Sequence, residues 1–180
     1  MKLAIFLITL TSLAVSASAQ GLTTLTKVSP IRMEVRQNTK NKSVVKATEA
    51  HTQERSLTII LQNNSNESFD GLVVKYWFFT RDPKGRNPAV LKQGEKTASL
   101  GPRSRDACET ETVSSTYTRE HTELERVNGQ ANNPQGNVAV KKVPASGRKI
   151  AGYAVKLYSA GSVVAEYYSE PGFKPMTGAN

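Results

Sequence analysis

Apolar and polar residues alternate with a period of two through much of the chain after residue 30. Ile31, Met33 and Val35 fall on one side of an extended segment while Arg32, Glu34 and Arg36 fall on the other. That is the pattern of a half-buried strand, and Pro30 stands near its start, where a missing backbone donor is tolerated. The polar stretch from Gln37 to Glu54 reads as an exposed loop or edge. Leu57, Ile59 and Leu61 then alternate with Thr58, Ile60 and Gln62, and Asn63 to Gly71 turns the chain. Leu72 to Phe79 returns as a strand dense in β-branched and aromatic residues, and its near-continuous apolar character predicts a central position covered on both faces. Two short strands, Ala89 to Lys92 and Lys96 to Leu100, are predicted among the turn formers Asp82-Pro83-Lys84-Gly85, Asn87-Pro88 and Gly101-Pro102. Cys108 to Thr118 suits an exposed or edge strand. Arg119 to Val127 is open between a strand and a helical turn, and Asn128 to Gln135 is a loop by composition. Tyr153, Val155 and Leu157 alternate with Ala154, Lys156 and Tyr158 before a tight turn at Ser159 to Ser162 and a return strand, Val163 to Tyr168. With no internal repeat and no long helix, the spacing predicts an all-β, antiparallel β-sandwich of about seven to nine strands.

The first residues follow a different logic. Met1-Lys2 is followed by an apolar run from Leu3 to Val15 and by small residues ending at Ala17-Ser18-Ala19. Charged, apolar and small-residue regions in that order predict a cleavable secretory signal peptide over residues 1–19. A membrane-spanning helix needs about 20 apolar residues, more than this run holds. A lipoprotein needs a Cys directly after the apolar run, but the one Cys is Cys108. A type IV pilin is cut before its apolar helix, whereas this cut follows it. The expected product is one domain over 20–175 with a disordered tail at 176–180, secreted or periplasmic and without an anchor. It folds without an internal disulfide, so stability rests on apolar burial.

Several strand segments resemble a known group. Leu57 to Asn63, Asp70-Gly71-Leu72, Tyr76-Trp77-Phe78-Phe79 and Gly152-Tyr153-Ala154-Val155 before a glycine hairpin are similar to secreted bacterial immunoglobulin-like proteins, over about half of the mature chain. The resemblance implies an immunoglobulin-like sandwich. Some proteins of this kind are encoded beside pilus or outer-membrane assembly genes, which implies an accessory role in the cell envelope. The paired cysteines of antibody-type domains are missing, and Trp77 is the part of that signature present.

No catalytic constellation emerges. His51 and His121 are the two histidines, both in polar segments, and His121-Thr122-Glu123 lacks the downstream Cys pair that a zinc deaminase requires. No Asp-x-Asp-x-Asp calcium spacing and no Gly-x-Ser-x-Gly elbow occur. Gly94-Glu95-Lys96-Thr97 lacks the core of a phosphate loop, and Cys108, between Ala107 and Glu109, has no neighbour that would activate it. The chain is therefore read as a non-enzyme with no cofactor and no metal.

Charge is more informative. The formal net charge is +9, and from Arg81 to Arg105 seven cations face two carboxylates. Arg81, Lys84, Arg86, Arg103 and Arg105 are the expected basic patch, with Lys141, Lys142, Arg148 and Lys149 a second basic stretch. Asp106, Glu109, Glu111, Glu120, Glu123 and Glu125 make the segment between them acidic, and segregation of this kind favours opposed faces. Export removes nucleic acid as a partner and leaves a protein partner, self-association at the cell surface or an acidic glycan. A second candidate surface is the side of the Leu72–Phe79 strand that carries Lys75, Trp77 and Phe79, a platform for sugar rings or a partner if it is uncovered. The expected function is a non-catalytic binding or structural accessory protein of the cell envelope; the alternative is a carbohydrate-binding module using exposed aromatics.

Overall fold

The alternation resolves into eleven strands and one 3-10 turn in a computed structural model that describes residues 29–44, 50–126 and 138–178. In chain order these are β1 (Ile31–Val44), β2 (Ala50–Asn63), β3 (Phe69–Arg81), β4 (Ala89–Leu100), β5 (Arg105–Glu109), β6 (Val113–Thr118), β7 (His121–Arg126), β8 (Val138–Val143), β9 (Ser146–Gly147), β10 (Lys149–Ser159) and β11 (Ser162–Tyr168), then the turn at Pro171–Thr177. A five-stranded sheet runs β1-β2-β6-β9, and β5 joins it on the second half of β2. A four-stranded sheet runs β11-β10-β3-β4, and β7 and β8 form a two-stranded ribbon. Every pairing is antiparallel. The all-β sandwich expected from the spacing is the observed fold class. The expected signal peptide and the expected loop at 128–135 lie outside the described residues.

The core follows the period-two pattern. Leu57, Ile59 and Leu61 of one sheet meet Leu72, Val74, Tyr76, Phe78, Tyr153, Val155 and Leu157 of the other. Each such side chain gains about 1.5–3 kcal/mol from leaving water. The two short strands expected between 89 and 100 are one continuous β4. Gly94 lies opposite Tyr76, and a Cβ there would meet the Tyr76 ring at 2.5 Å, so the glycine is the seat of the tyrosine and not a break in the strand. A two-residue turn at Ala160-Gly161, both with positive φ, closes β10 onto β11.

A second apolar layer covers the outer face of the four-stranded sheet. Phe173 of the C-terminal turn stacks on Phe79 with centroids 4.3 Å apart, and Trp77 and Ala154 complete the cluster. Gly152 makes this approach possible, because a Cβ there would lie 2.6 Å from the Phe173 ring and collide with Ser169 Oγ. The turn is held by Lys174 on Glu166 at 2.5 Å, and Lys156 Nζ donates to the Gly178 carbonyl at 2.9 Å.

Two open expectations are decided and one is corrected. Of the two readings of 37–54, loop or edge, the loop gives way to strand over most of the length: the edge strand β1 and its neighbour β2 continue their pairing out to Val44 and Ala50. The choice left open at 119–127 is decided for a strand over 121–126, since β8 supplies a partner. Met176 to Gly178 are not a loose tail: Thr177 is buried and donates through Oγ1 to the Lys174 carbonyl.

Candidate anion-binding site

The platform of Lys75, Trp77 and Phe79 does not form. All three share the outer side of β3, as the alternation requires, but Trp77 is only 8 % exposed and Phe79 is fully buried beneath the C-terminal turn. Lys75 lies outside the covered patch, 3.9 Å from Glu95 and 5.4 Å from the centre of the Tyr158 ring.

The five-residue basic patch does not form either. Arg81, Lys84 and Arg86 lie where β3 turns into β4, while Arg103 and Arg105 lie beyond the other end of β4. Its twelve residues span roughly 40 Å at strand rise. Arg103 donates from Nε to Asn66 Oδ1 at 2.8 Å. Arg105 joins Arg32 and Arg36 on the outer face of the five-stranded sheet, around Glu34 and over Ile60. Arg36 Nε bonds Glu34 at 2.7 Å; with the charges of Arg36, Arg105 and Arg32 it holds that carboxyl below its usual range. The acidic stretch is likewise dealt out among cations: Glu111 pairs with Lys92, and Glu123 lies opposite Lys141.

At the Arg81 end the sandwich opens, and the reason is written into two strands. On β2 the positions that face the core at Leu57, Ile59 and Leu61 continue outward as Arg55, Gln53 and His51. On β6 the core parity of Val113 continues as Ser115 and Tyr117. The inner face therefore turns polar just where β10 begins. The sheets are tied there by polar contacts instead of side-chain packing. Gln53 Oε1 accepts the Ile150 N–H at 3.0 Å, and Ser115 Oγ donates to the Arg148 carbonyl at 2.6 Å.

The opening is a cleft of two adjoining lobes, each about 340 Å³. Gln53, Arg55, Arg81 and Glu170 line the first; Pro83, Lys84, Arg119, Glu120 and Ala145 line the second; Tyr117 and Lys149 border both. Gly147, at φ +80, brings β9 close against β6 and so sets Lys149 beside Tyr117; a Cβ there would lie 2.5 Å from the Thr116 carbonyl oxygen. The Tyr117 ring stacks on His51 at 5.5 Å.

Not all the cations here are free. Arg81 bonds Glu170 at 2.6 Å and lies over the Phe173 ring, and Arg148 is pinned by Thr80 and the Asn87 carbonyl. Among the described residues, Lys84, Arg119 and Lys149 form no ion pair. Arg55 is the most telling: its Nε–H is buried with no acceptor, and burial pulls its pKa below the usual arginine range. A buried donor left unpaired costs about 1–3 kcal/mol, more when it belongs to a charge. An anion entering the first lobe would meet the Arg55 side chain and Lys149 together.

Other chemistry is placed more simply. Cys108 packs half-buried against the core, and burial, with Asp106 adding, pushes its thiol pKa up. His121 bonds Glu123 at 3.1 Å on the ribbon. Among the described residues, no group of three or more His, Cys, Asp or Glu side chains is arranged to hold a metal ion, and no helix is long and apolar enough to cross a membrane.

Sequence reading found Arg81, Lys84 and Lys149 as members of basic stretches but missed Arg55, Tyr117 and Arg119. For Arg55 a signal was present: an arginine at the inward parity of an alternating strand. Tyr117 and Arg119 escaped it because pairing with β2 is what brings β6, and Arg119 just after it, to the cleft.

No family model matches the chain, and no curated protein matches it. Two solved structures are similar at 13 % identity: a target of the Northeast Structural Genomics Consortium, covering 67 % of this chain and 86 % of its own with a TM-score of 0.34, and a protein from Akkermansia muciniphila, covering 83 % and 76 % with a TM-score of 0.35. At these values the likenesses assign neither a family nor a function to the chain.

Proposed function

We propose that the chain is a non-catalytic accessory protein of the cell envelope, secreted or periplasmic and of the immunoglobulin-like kind, which binds an anionic partner in the cleft at the Arg55 end of the sandwich. One observation carries the binding part: Arg55 stands at a core-facing position yet lines the first lobe, beside Lys149, which forms no ion pair. Fold stability does not ask for a partly desolvated guanidinium there, so its cost is explained if an anion pairs with it. The envelope part rests on the signal-peptide pattern of residues 1–19 and on the resemblance stated above.

Both parts are testable. Titration calorimetry with three polyanions of unrelated backbone (heparin, polyglutamate and polyphosphate) should detect binding to the wild type by at least one. Arg55→Leu and Lys149→Ala should each weaken that binding about tenfold or more, the loss expected for one charge-assisted contact of about 1.5–3 kcal/mol. Failure of all three to bind, or binding indifferent to both substitutions, refutes the cleft. For export, mass spectrometry of the expressed full chain should find Gln20 as the mature N-terminus; a chain retained whole in the cytoplasm refutes the envelope role.

A further inference from the structure

Resting on that reading, we infer that the ligand of the cleft is an acidic glycan, with a sugar ring on Tyr117 and its anionic groups held on either side. The first argument is the division of the cleft. Tyr117 and Lys149 stand where the two lobes join, with Arg55 in one lobe and Lys84 and Arg119 in the other. The cations are thus separated by an aromatic residue, which suits a chain whose charges are separated by rings.

The second argument is the lining of the second lobe. Pro83, Ala145 and Tyr117 give it apolar walls between its charged groups. A pyranose presents an apolar C–H face and polar edges, and aromatic side chains take the former while charged ones take the latter. An extended acidic peptide or a phosphate chain offers no such face.

The third argument is the pair of carboxylates. Glu170 lies in the first lobe and Glu120 in the second. Each accepts hydrogen bonds from hydroxyls, which polyglutamate and polyphosphate chains do not carry. A glycan brings hydroxyls between its carboxylates or sulfates. Glu170 also engages Arg81 at 2.6 Å, which leaves Arg55 and Lys149 as the groups that meet the anion in that lobe.

The experiment compares short ligands. An oligogalacturonate and a heparin-derived tetrasaccharide are titrated against the full exported chain, beside a neutral cello-oligosaccharide of similar length and polyglutamate. The expected result is saturable binding of at least one acidic oligosaccharide, lost about tenfold or more in Tyr117→Ala and in Arg55→Leu and largely retained in Tyr117→Phe. The neutral oligosaccharide should not bind, and any binding of polyglutamate should be weaker and indifferent to Tyr117→Ala. The glycan assignment is overturned, with the anion cleft left standing, if polyglutamate or polyphosphate binds but neither acidic oligosaccharide does, or if Tyr117→Ala leaves oligosaccharide binding unchanged while Arg55→Leu removes it. Absence of binding by every anion overturns both readings. Tyr117→Phe and an unchanged melting transition guard against a variant that has merely unfolded.

Discussion

A charged side chain at the inward parity of a strand, an aromatic pair under a strap and a buried tyrosine hydroxyl each make a residue-level statement that can be measured. Arg55 is held in the sandwich with an unpaired Nε–H. Arg55→Leu extends the apolar line of Leu57, Ile59 and Leu61 and removes a desolvated donor, so it should raise the unfolding free energy by about 1 kcal/mol while it weakens anion binding. A fall in stability measured by urea denaturation would make the arginine structural. Phe173→Ala removes the ring stacked on Phe79 and should cost about 3–5 kcal/mol. It should also shift the emission of Trp77 to the red and open it to aqueous quenchers, since that indole is sealed by the same turn. Tyr153 is raised to about 12, first by burial and then by its hydrogen bond with Tyr167. The folded state thus keeps a proton that the unfolded chain releases near the ordinary tyrosine value of 10.0. Stability from this group is fully present below pH 10 and is lost as the pH rises from about 10 to about 12. A tyrosinate absorbance titration run beside circular dichroism should show that loss.

Among the elements, the strands differ in how many sides are covered. Core side chains cover one face of β3 and β10, the C-terminal turn covers part of the other, and hydrogen-bonded neighbours flank them on both edges. The β7–β8 ribbon has neither advantage: it pairs with no other described strand, and its opposed Leu124 and Val140 are 73 % and 66 % exposed. An isolated two-stranded hairpin is marginal in water. Native-state hydrogen exchange should therefore find the amides of β7 and β8 exchanging through local opening, well before those of β3 and β10, which should exchange only with global unfolding. Equal protection of the ribbon and the central strands would sink this ranking. The sequence carried the central strand well, because eight nearly unbroken apolar and aromatic residues fit nothing else. It carried the ribbon poorly, because Leu124 alone in a charged segment gives no period, and only the pairing with Val140 makes a strand of it.

For the whole molecule, the cleft and the fold are linked by mass action. A ligand that binds only the folded protein adds about 2.7 kcal/mol of stability at a hundredfold excess over Kd, a rise in Tm of a few degrees. Heparin should produce that rise at low salt and lose most of it at high salt, because exposed cations are screened within about 10 Å at 0.1 M. A salt-independent shift would point to apolar contacts instead. The all-β class, the parity of the core strands and the tight turns are local matters, legible in the chain because they depend on neighbours two to four residues apart. The sequence also contained every cation of the cleft. The tertiary structure decided which of them meet. Arg81 and Arg105 are close in sequence and stand at opposite ends of a twelve-residue strand, whereas Arg55, Tyr117 and Lys149, far apart in sequence, border one opening. It also decided that Trp77 and Phe79 are covered, since the cover comes from a turn nearly a hundred residues later. Local pattern fixes which side of a strand a residue is on; what lies against that side is fixed by packing, and packing is long-range.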